Sequence, residues 1–346
     1  MHAIIIPAYK PDFKLSLLIE KLIALNFTQI IVIDDGSGIE YKSLFSSLES
    51  SSCFVIHHTT NLGKGAAIKS GIKYLASNLP KITGFITCDG DGQHQPKDIE
   101  AVSLALEASP DSLILGSRDL KLKIVPLKSR LGNAFSSFYF KMTTGITCHD
   151  TQTGLRGIPL SLIELALSIP ENRYDYEMIF LTRSAKEGTT LEFVPIETVY
   201  LNDNSSSHFR PVVDSIRIYK EPIKFAFSSL LSAGVDLGIF TILTTILDDN
   251  IVKIVFIATV VARIISGLLN FLLNRLWSFK NTSSIKNQFK RYFALYILQL
   301  TLSIVFVSLL AFIPIHLTLI KLIVDSMLFI GSFFIQKNWV FKHHKY

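Results

Sequence analysis

Two aspartates, Asp89 and Asp91, stand two residues apart directly after an apolar run. The surrounding segment, residues 87–94, reads TCDGDGQH, so a glycine separates the two carboxylates and a histidine follows them. Carboxylates at this spacing suit a hard divalent cation that also holds the phosphates of a nucleotide. An EF-hand is a poor match because its downstream glutamate is missing, and a solvated turn is the alternative without function. We therefore predict a divalent-metal and phosphate site here, which His94 supports rather than ligates.

Two further polar segments lie where ligand-binding loops are expected. Residues 31–37 read IVIDDGS, so an apolar run ends in two acids whose carboxylates could accept hydrogen bonds from a base or a ribose. Residues 61–66 read NLGKGA, which places two glycines and Lys64 at a helix start, where free backbone N–H groups favour phosphate. The first segment could instead cap a turn, and the second is not a complete Walker loop.

Short β-branched runs alternate with amphipathic stretches over residues 1–200. This alternation is typical of a parallel α/β sheet that helices cover on both faces. In such a sheet ligands bind at the carboxyl ends of the strands, which is where these polar segments lie. The predicted strands are Ala3–Ile6, Ile30–Asp34, Cys53–His57, Gly84–Cys88 and Leu113–Gly116. The predicted helices include Lys14–Leu25, Lys64–Ser77 and Lys97–Ala108.

The ordered motifs of residues 1–220 resemble those of the family 2 glycosyltransferases of GT-A fold. The shared motifs are Pro7-Ala8-Tyr9, Asp34-Asp35-Gly36-Ser37 and Asp89-Gly90-Asp91. Later segments, at 116–118 (GSR), 129–133 (SRLGN) and 150–156 (DTQTGLR), are similar to the branch of dolichol-phosphate mannose synthases and polyprenyl-phosphate glucosyltransferases. The resemblance implies an α/β GT-A domain, the Rossmann-like fold of nucleotide-diphospho-sugar transferases.

This resemblance also implies roles for individual residues. The residues expected at the nucleotide are Pro7, Ala8, Tyr9, Ile33, Asp35, Lys64, Asp89, Gly90 and Asp91. Those expected to hold Mg²⁺ or Mn²⁺ are Asp89, Asp91 and Gln93. Those expected at the lipid phosphate or the diphosphate are Arg118, Arg130, Asn133, His208 and Arg210. The catalytic set would be Asp89, Asp91, Arg118, Arg130 and Asp150, in which Asp150 orients other groups rather than abstracting a proton.

One late motif departs from the family pattern. The family's Arg-x-x-Gly-x-Ser-Lys stands here as residues 202–208, NDNSSSH, so Asn, Ser and His replace Arg, Gly and Lys. We expect His208 and Arg210 to supply the positive charge near the diphosphate instead. Between Arg118 and Arg130, the segment 119–129 mixes apolar residues with lysines, as expected for a mobile loop at a membrane surface.

The C-terminal third is strongly apolar, and the mean hydropathy of the whole chain is +0.39. Four apolar runs, at about 225–247, 251–273, 293–313 and 317–336, each have the roughly 20 residues needed to cross a bilayer as a helix. Buried helices of a soluble core are the alternative, but four such runs would leave almost no polar face for water. Basic residues cluster before the first run, between the second and third, and after the fourth, which predicts cytoplasmic termini.

The apolar third also repeats itself. Residues 274–280 (NRLWSFK) recur as 336–342 (QKNWVFK), a shift of 62 positions. At the same shift Arg263 corresponds to Asp325, and charges at such a depth usually face a bundle interior or a polar path. We predict one buried polar site that contains both residues, with a structural or a functional role. Residues 222–343 resemble the GtrA-like family of four-span proteins, which is associated with lipid-linked sugar translocation.

We therefore divide the chain into a GT-A domain (1–208), an interfacial amphipathic linker (209–224) and a GtrA-like transmembrane domain (225–346). The net charge of +6 comes from the membrane part and gives no reason to expect nucleic acid. The three widely spaced cysteines exclude a secreted, disulfide-stapled fold. A processive polysaccharide synthase is disfavoured because its Gln-x-x-Arg-Trp motif is missing, and Trp277 and Trp339 both adjoin membrane spans.

These resemblances predict metal-dependent, inverting transfer of a hexose from a nucleotide sugar, expected to be a UDP-sugar, to a polyprenyl phosphate such as undecaprenyl phosphate. We expect a multi-pass protein of the plasma membrane that acts on its cytoplasmic face in cell-surface glycan or glycoprotein glycosylation. The expected partners are the nucleotide sugar, the lipid and the membrane, while homo-oligomerisation is left open. One alternative is a dolichyl-phosphate mannose synthase that uses GDP-mannose. Another is a lipid-linked sugar translocase whose N-terminal domain only binds.

Overall fold

The structure, a computed structural model, describes residues 2–50, 52–197, 211–247, 251–281, 283–310, 312–313 and 317–342. The chain divides into two compact units, Met1–Ile218 and Tyr219–Tyr346. The predicted linker 209–224 falls across this division. Its part Pro211–Ile218 is a short helix of the first unit, and a long helix of the second unit begins at Lys220.

A seven-stranded sheet forms the centre of the first unit. Its strands are β1 (His2–Ala8), β2 (Ile30–Asp34), β3 (Cys53–His57), β4 (Gly84–Thr87), β5 (Leu113–Arg118), β6 (Arg156–Pro159) and β7 (Leu191–Ile196). They are ordered β3-β2-β1-β4-β6-β5-β7. The first five strands lie within two residues of their predicted positions, whereas β6 and β7 were not predicted.

Helices cover both faces of this sheet, as predicted. They are α1 (Phe13–Ala24), α2 (Lys42–Leu48), α3 (Lys64–Asn78), α4 (Pro96–Ala108), α5 (Leu127–Thr144), α6 (Ile163–Ser168), α7 (Asp175–Lys186) and α8 (Pro211–Ile218). Successive residues of a buried strand point to opposite faces, and β1 illustrates this. Ile5 packs in a cluster with Ile68 of α3, whereas Ile4 packs in a second cluster with Leu15 of α1 and Val102 of α4.

The prediction of a parallel sheet is wrong at β6, which runs antiparallel to both of its neighbours. Helix α5 follows the carboxyl end of β5, and residues 145–155 bring the chain back to that same edge, so β6 runs in the opposite direction. Its first residue, Arg156, pairs with Thr87, the last residue of β4. This reversal brings the segment 150–155 to the carboxyl end of β4, close to Asp89.

The described residues of the second unit form four helices: α9 (Lys220–Ile246), α10 (Ile251–Leu273), α11 (Ile285–Leu310) and α12 (Leu317–Ile335). Each of the four predicted apolar runs overlaps one of them. Among the described residues, three helical stretches are long and apolar enough to cross a membrane: Lys220–Ile246, Ile257–Ser278 and Ile285–Leu310. The number of spans and their orientation stay predictions.

The repeat found in the sequence is visible in this unit. Helices α10 and α12 both continue into a π-helical turn, Asn274–Ser278 and Gln336–Val340, at positions that match in the two copies. The next ring of each copy, Phe279 and Phe341, stacks on its counterpart with the ring centroids 5.2 Å apart. The unit is therefore built from two similar helix pairs, α9–α10 and α11–α12.

Candidate active site

The carboxyl ends of β1 and β2 are joined by hydrogen bonds that shape one wall of the site. The Asp35 amide donates to the Ala8 carbonyl (2.8 Å), and the Lys10 amide donates to Ser37 Oγ (2.8 Å). These bonds hold the end of β1 beside the turn that follows β2. Three of the residues predicted to bind the nucleotide stand at this end of β1: Pro7, Ala8 and Tyr9.

The carboxylate of Asp35 is committed to the protein itself. Its Oδ1 accepts hydrogen bonds from His58 Nδ1 (2.8 Å) and the Leu62 amide (2.9 Å), and its Oδ2 accepts one from the Gly63 amide (2.8 Å). The side chain is only 5% exposed. This geometry favours a role for Asp35 in shaping the loop 61–63 over the predicted direct contact with a base or a ribose.

The loop 61–63 packs tightly against the segment before α7. Gly63 has a φ of +105°, and a Cβ at this position would lie 2.5 Å from the Asn172 carbonyl oxygen. That same carbonyl accepts a hydrogen bond from the Ala66 amide (3.0 Å). One of the backbone N–H groups predicted to attract phosphate at the start of α3 is therefore already bonded within the protein.

Three charged side chains, Lys64, Asp89 and Glu177, meet at the carboxyl end of the sheet. Lys64 begins α3, Asp89 follows β4, and Glu177 lies in the first turn of α7. Lys64 Nζ lies 2.6 Å from Asp89 Oδ1 and 2.9 Å from Glu177 Oε2. Burial alone would lower the pKa of Lys64, but the two carboxylates raise it, so Lys64 is a fixed positive charge in this cluster.

Asp89 and Asp91 have different electrostatic environments. Burial opposes ionisation of Asp89, but the positive charge of Lys64 outweighs burial and lowers the pKa of Asp89 to about 2. Burial and the neighbouring Asp89 carboxylate raise the pKa of Asp91 to about 6. Oδ1 of Asp91 also accepts from the Gln93 amide (3.0 Å), which closes the turn. The turn therefore holds two carboxylates whose mutual repulsion an added cation would relieve.

His94 is oriented by the backbone of the same turn. Its Nδ1 accepts a hydrogen bond from the Asp89 amide at 3.0 Å, which fixes that nitrogen as the unprotonated one. Burial lowers the pKa of His94 to about 4, so the imidazole is neutral near pH 7. Both observations match the supporting role expected for His94.

The carboxylates of this turn are the groups that would hold a divalent metal. Within the described part of the chain, no group of three or more His, Cys, Asp or Glu side chains is arranged to hold a metal. Mg²⁺ sites in nucleotide enzymes, however, take only one or two carboxylates and complete their shell with phosphates and water. Asp89 and Asp91 supply two such carboxylates in one turn. The residues therefore fit a metal that is held jointly by the protein and a diphosphate.

Arg118 and Asp150 form a bidentate ion pair at the end of β5. Arg118 Nε donates to Asp150 Oδ2 (2.7 Å) and Nη2 donates to Oδ1 (3.0 Å). The Asp150 side chain is fully buried, while that of Arg118 is 19% exposed. Asp150 accepts both donors and therefore fixes the guanidinium, in agreement with the orienting role expected for it.

Two other residues predicted at the lipid phosphate have partners in the protein. Arg130 Nε donates to the Val125 carbonyl (3.1 Å) and Nη2 to the Leu122 carbonyl (2.7 Å), so Arg130 closes the loop between β5 and α5. Asn133 is buried, and its Nδ2 donates to the His149 carbonyl (2.5 Å). Both side chains therefore support the walls of the site in this structure, and their contact with a lipid phosphate stays a prediction.

The remaining predicted residues have different outcomes. Ile33 is fully buried and packs in the apolar cluster on one face of the sheet, and its predicted place at the nucleotide stays a prediction. Gly90 and Gln93 lie in the turn that carries Asp89 and Asp91. His208, Arg210 and the altered motif 202–208 lie outside the described residues.

Two residues near Asp89 were missed by the sequence reasoning. Glu177 stands in none of the recognised motifs, and no local pattern marks it. Gly154 lies within the recognised segment 150–156 but was given no role. A Cβ at Gly154 would collide with the Asp89 carboxylate, so glycine is what lets this segment pass beside Asp89. The signal for Gly154 was present in the motif, whereas only the fold reveals Glu177.

Two family profiles match this chain. The profile of glycosyl transferase family 2 matches residues 3–164, and that of the GtrA/DPMS transmembrane domain matches residues 219–341. A relative, an uncharacterised protein of Methanocaldococcus jannaschii, is 31% identical over 219 residues, which cover 62% of this chain and 88% of the relative. The chain belongs to glycosyl transferase family 2. It is therefore a glycosyltransferase with a membrane domain, as the resemblance implied.

Two further relatives are similar to part of the chain. The UDP-N-acetylglucosamine–dolichyl-phosphate N-acetylglucosaminyltransferase of Methanococcus voltae is 29% identical over 215 residues, covering 57% of this chain and 85% of the relative. The polyprenol monophosphomannose synthase of Mycolicibacterium smegmatis is 26% identical over 202 residues, covering 56% of this chain and 75% of the relative.

Proposed function

We propose that this glycosyltransferase moves a hexose from a nucleotide sugar to a polyprenyl phosphate. The observation that carries the proposal is the arrangement at the carboxyl ends of β4 and β5, where Asp89 and Asp91 share one turn and Asp150 holds Arg118. The acidic pair suits a metal-bound diphosphate, and the fixed guanidinium suits a second phosphate. The arrangement therefore fits a donor and an acceptor that both carry phosphate. The names of the two characterised relatives support a lipid phosphate as the acceptor.

The donor would bind with its diphosphate near Asp89 and Asp91. A divalent cation held by these carboxylates would supply positive charge that stabilises the departing diphosphate. Lys64 lies 2.6 Å from Asp89 and would provide a further positive charge close to the diphosphate. The base and ribose would then lie toward the end of β1, near Pro7, Ala8 and Tyr9.

The acceptor phosphate would be oriented by Arg118. A phosphate monoester with a second pKa of about 6 is largely ionised at pH 7, so it needs no strong general base. Its oxygen forms a bond to the anomeric carbon while the bond from that carbon to the diphosphate oxygen breaks, which inverts the configuration. Asp150 has both oxygens occupied by Arg118 and therefore acts as a positioning residue.

We also propose that transfer takes place at the cytoplasmic face of the cell membrane, since the basic loops of the membrane part favour that side. A UDP-sugar and undecaprenyl phosphate are the proposed substrates. A GDP-mannose donor is the second candidate, and the polyprenol monophosphomannose synthase among the relatives favours testing it.

The proposal can be tested with membranes that contain the full chain. They are incubated with radiolabelled UDP-glucose, UDP-N-acetylglucosamine or GDP-mannose, together with undecaprenyl phosphate or dolichyl phosphate. With the unchanged chain, we expect one donor to label the lipid extract. With the Asp89→Asn/Asp91→Asn variant, we expect no label in the lipid extract from any donor. Labelling from GDP-mannose alone would select the second candidate. Absence of lipid-soluble label with every pair of substrates, from membranes that hold the folded chain, would contradict the proposal.

A further inference from the structure

One end of the second unit carries a strong excess of positive charge. Helices α9 and α11 begin at this end, and α10 and α12 end there, in the segments 219–224, 274–293 and 336–342. In the sequence these segments hold one acid, Glu221, and nine basic residues: Lys220, Lys224, Arg275, Lys280, Lys286, Lys290, Arg291, Lys337 and Lys342. The carboxylate of Glu221 forms an ion pair with Lys337. A large excess of positive charge therefore remains at this end.

Two tryptophans stand in equivalent arrangements within this basic end. Lys224 Nζ lies 5.2 Å from the centre of the Trp277 ring and donates to the Trp277 carbonyl oxygen at 3.3 Å. Arg291 Cζ lies 5.8 Å from the centre of the Trp339 ring, and its Nη1 donates to the Trp339 carbonyl oxygen at 2.9 Å. The two tryptophans correspond at the shift of 62 positions, and the two cations at a shift of 67. Each helix pair therefore builds the same contact once.

The same two shifts relate polar residues deeper in the unit. Asp236 Oδ1 lies 3.7 Å from Arg263 Nε and accepts a hydrogen bond from Ser266 (3.0 Å), and Asp325 accepts one from Ser303 (2.6 Å). Asp236 and Ser303 correspond at the shift of 67, and Arg263 and Asp325 at the shift of 62. Both Arg263 and Asp325 line one polar cavity of about 460 Å³, in agreement with the sequence-based prediction, whereas the pairing of Arg263 with Asp236 was not predicted. The equivalence of the two copies therefore extends along the helices.

A further lysine stands beside each tryptophan. Lys280 follows Trp277 by three positions, and Lys342 follows Trp339 by three positions; both lysines are exposed. Lys280 has a φ of +45°, a left-handed conformation that is unusual for a residue with a side chain and is found most often where function requires it.

The first arrangement gathers like charges. The positive charges of Lys220 and Lys280 both act on Lys224. Glu221 acts on Lys224 in the opposite sense, but its carboxylate is paired with Lys337. Like charges held close together repel each other, and a bound anion would relieve that repulsion.

The position of this end restricts the class of anion. The stretches Lys220–Ile246 and Ile257–Ser278 are long and apolar enough to cross a membrane, so Lys224 and Trp277 lie near the ends of two candidate spans. Tryptophan, lysine and arginine at such ends lie at the level of the lipid headgroups. Ammonium and guanidinium groups there donate charge-assisted hydrogen bonds to phosphate oxygens. The rings of Trp277 and Trp339 are 38% and 45% exposed, which leaves surface for the apolar part of a lipid.

We propose that the basic end of the second unit holds two equivalent sites for the headgroup of an anionic phospholipid. The first site consists of Lys220, Lys224, Trp277 and Lys280, and the second of Arg291, Trp339 and Lys342. A phospholipid of the surrounding bilayer reaches the whole perimeter of a membrane domain, so it can occupy both copies of a repeated site. A zwitterionic lipid fits less well, because its own cation already neutralises its phosphate. The proposal does not depend on the proposed transfer reaction, because every residue of both sites belongs to the second unit.

The two tryptophans also report on the two sites separately. Trp277 and Trp339 are the only tryptophans of the chain. The variant Trp339→Phe therefore leaves a fluorescent reporter in the first site alone, and Trp277→Phe leaves one in the second site alone. Each reporter variant keeps the tryptophan of the site under test.

The experiment uses the full chain in phosphatidylcholine bilayers that contain a fraction of brominated phosphatidylglycerol or of brominated phosphatidylcholine. Bromine quenches tryptophan fluorescence at short range, so the ratio of the two quenching strengths measures the preference for the anionic lipid at each site. We expect both reporters to prefer phosphatidylglycerol by about threefold or more at low salt, and high salt should weaken this preference.

Substitutions should act on one site at a time. Lys224→Gln should remove the preference at Trp277 and preserve it at Trp339, whereas Arg291→Gln should do the reverse. Lys280→Gln and Lys342→Gln change exposed side chains and should repeat these two results without disturbing the helix packing. Lys286→Gln is the matched control, because it removes the same charge from the same end at an exposed position outside both sites. It should preserve the preference at both reporters.

Three results would overturn the proposal. The first is equal quenching by the two brominated lipids. The second is a loss of preference in Lys286→Gln as large as in Lys280→Gln, which would indicate a diffuse attraction without defined sites. The third is displacement of phosphatidylglycerol from the reporters by an equimolar amount of undecaprenyl phosphate or by inorganic phosphate, because the sites would then belong to a phosphate monoester.

Discussion

Asn274 donates a hydrogen bond to Gln336, the residue that occupies its position in the second copy of the repeat. Asn274 Nδ2 lies 3.1 Å from Gln336 Oε1, and both side chains are buried. Two residues at equivalent positions of the repeat can touch only where the two copies meet. The stacked rings of Phe279 and Phe341, which also occupy equivalent positions, lie where the two copies meet as well. The repeat therefore describes two helix pairs that meet through equivalent residues.

Replacement of Asp89 or Asp91 by Ala should abolish most of the transferase activity. We expect a loss on the order of 100-fold, because the charge that develops on the diphosphate would lose its stabilisation. Excess EDTA should have a similar effect on the unchanged chain. The measurement is the rate at which labelled hexose enters the lipid extract. Asp111→Ala, at an exposed turn, is the matched control and should keep full activity; undiminished turnover in EDTA would remove the metal from the mechanism.

Glu177→Gln should change the response to the divalent cation. Without the Glu177 charge, Lys64 interacts with Asp89 alone and competes more strongly with a cation for that carboxylate. We expect about tenfold more Mn²⁺ for half-maximal activity, equivalent to about 1.4 kcal/mol. Glu164→Gln, at an exposed helical position, is the control. An unchanged Mn²⁺ titration would show that Glu177 has only a structural role.

Asp150→Asn should weaken use of the acceptor more than use of the donor. The substitution keeps the size of the side chain but removes the charge that holds the Arg118 guanidinium. We expect kcat/KM for polyprenyl phosphate to fall on the order of 100-fold, which corresponds to about 2.7 kcal/mol. Binding of the free nucleotide diphosphate should change little. Arg118→Lys should also lower kcat/KM for polyprenyl phosphate, because Lys cannot make the two parallel hydrogen bonds. Equal falls in kcat/KM for the acceptor and for the donor would argue against a specific role of this ion pair at the acceptor.

Gly63→Ala should destabilise the first unit and disturb the start of α3. The residue has a φ of +105°, and its new Cβ would lie 2.5 Å from a backbone oxygen, so strain and crowding act together. We expect a loss of about 1–3 kcal/mol in stability, measured as a lower melting temperature of the full chain. Gly188→Ala separates the two causes, because Gly188 has a φ of +89° but nothing within 4 Å of its Cβ. It should show the smaller loss.

Arg263→Ala and Asp236→Ala should be energetically coupled. Each change alone leaves the other member of the 3.7 Å pair without that partner in the membrane domain. The stability loss of the double variant should therefore be smaller than the sum of the single losses, by about 0.5–3 kcal/mol. Thermal unfolding of the purified chain provides the measurement. Arg263→Ala combined with Asp111→Ala should be additive, and additivity in the Asp236 pair as well would show that the ion pair contributes nothing.

The sequence by itself determined the first five strands and the segments that carry the chemistry. Buried β-branched runs such as Ile30–Asp34 can satisfy their backbone and bury both faces only inside a sheet, so their position follows from local composition. The turn with Asp89 and Asp91 follows from the polar residues and glycines after β4. The repeat of the membrane part also needs no coordinates, because Trp277, Phe279 and Lys280 recur 62 positions later as Trp339, Phe341 and Lys342.

Only the tertiary structure decided which charges meet. Glu177 reaches Lys64 because α7 packs beside the start of α3, and the two residues are far apart in sequence. Asp35 has the composition of a ligand-binding acid, yet its oxygens bond to His58 and to the loop 61–63. β6 is reversed because the chain returns to the edge of the sheet that it had just left. Local patterns specify which groups are available, whereas long-range packing determines the partners that set their charge and orientation.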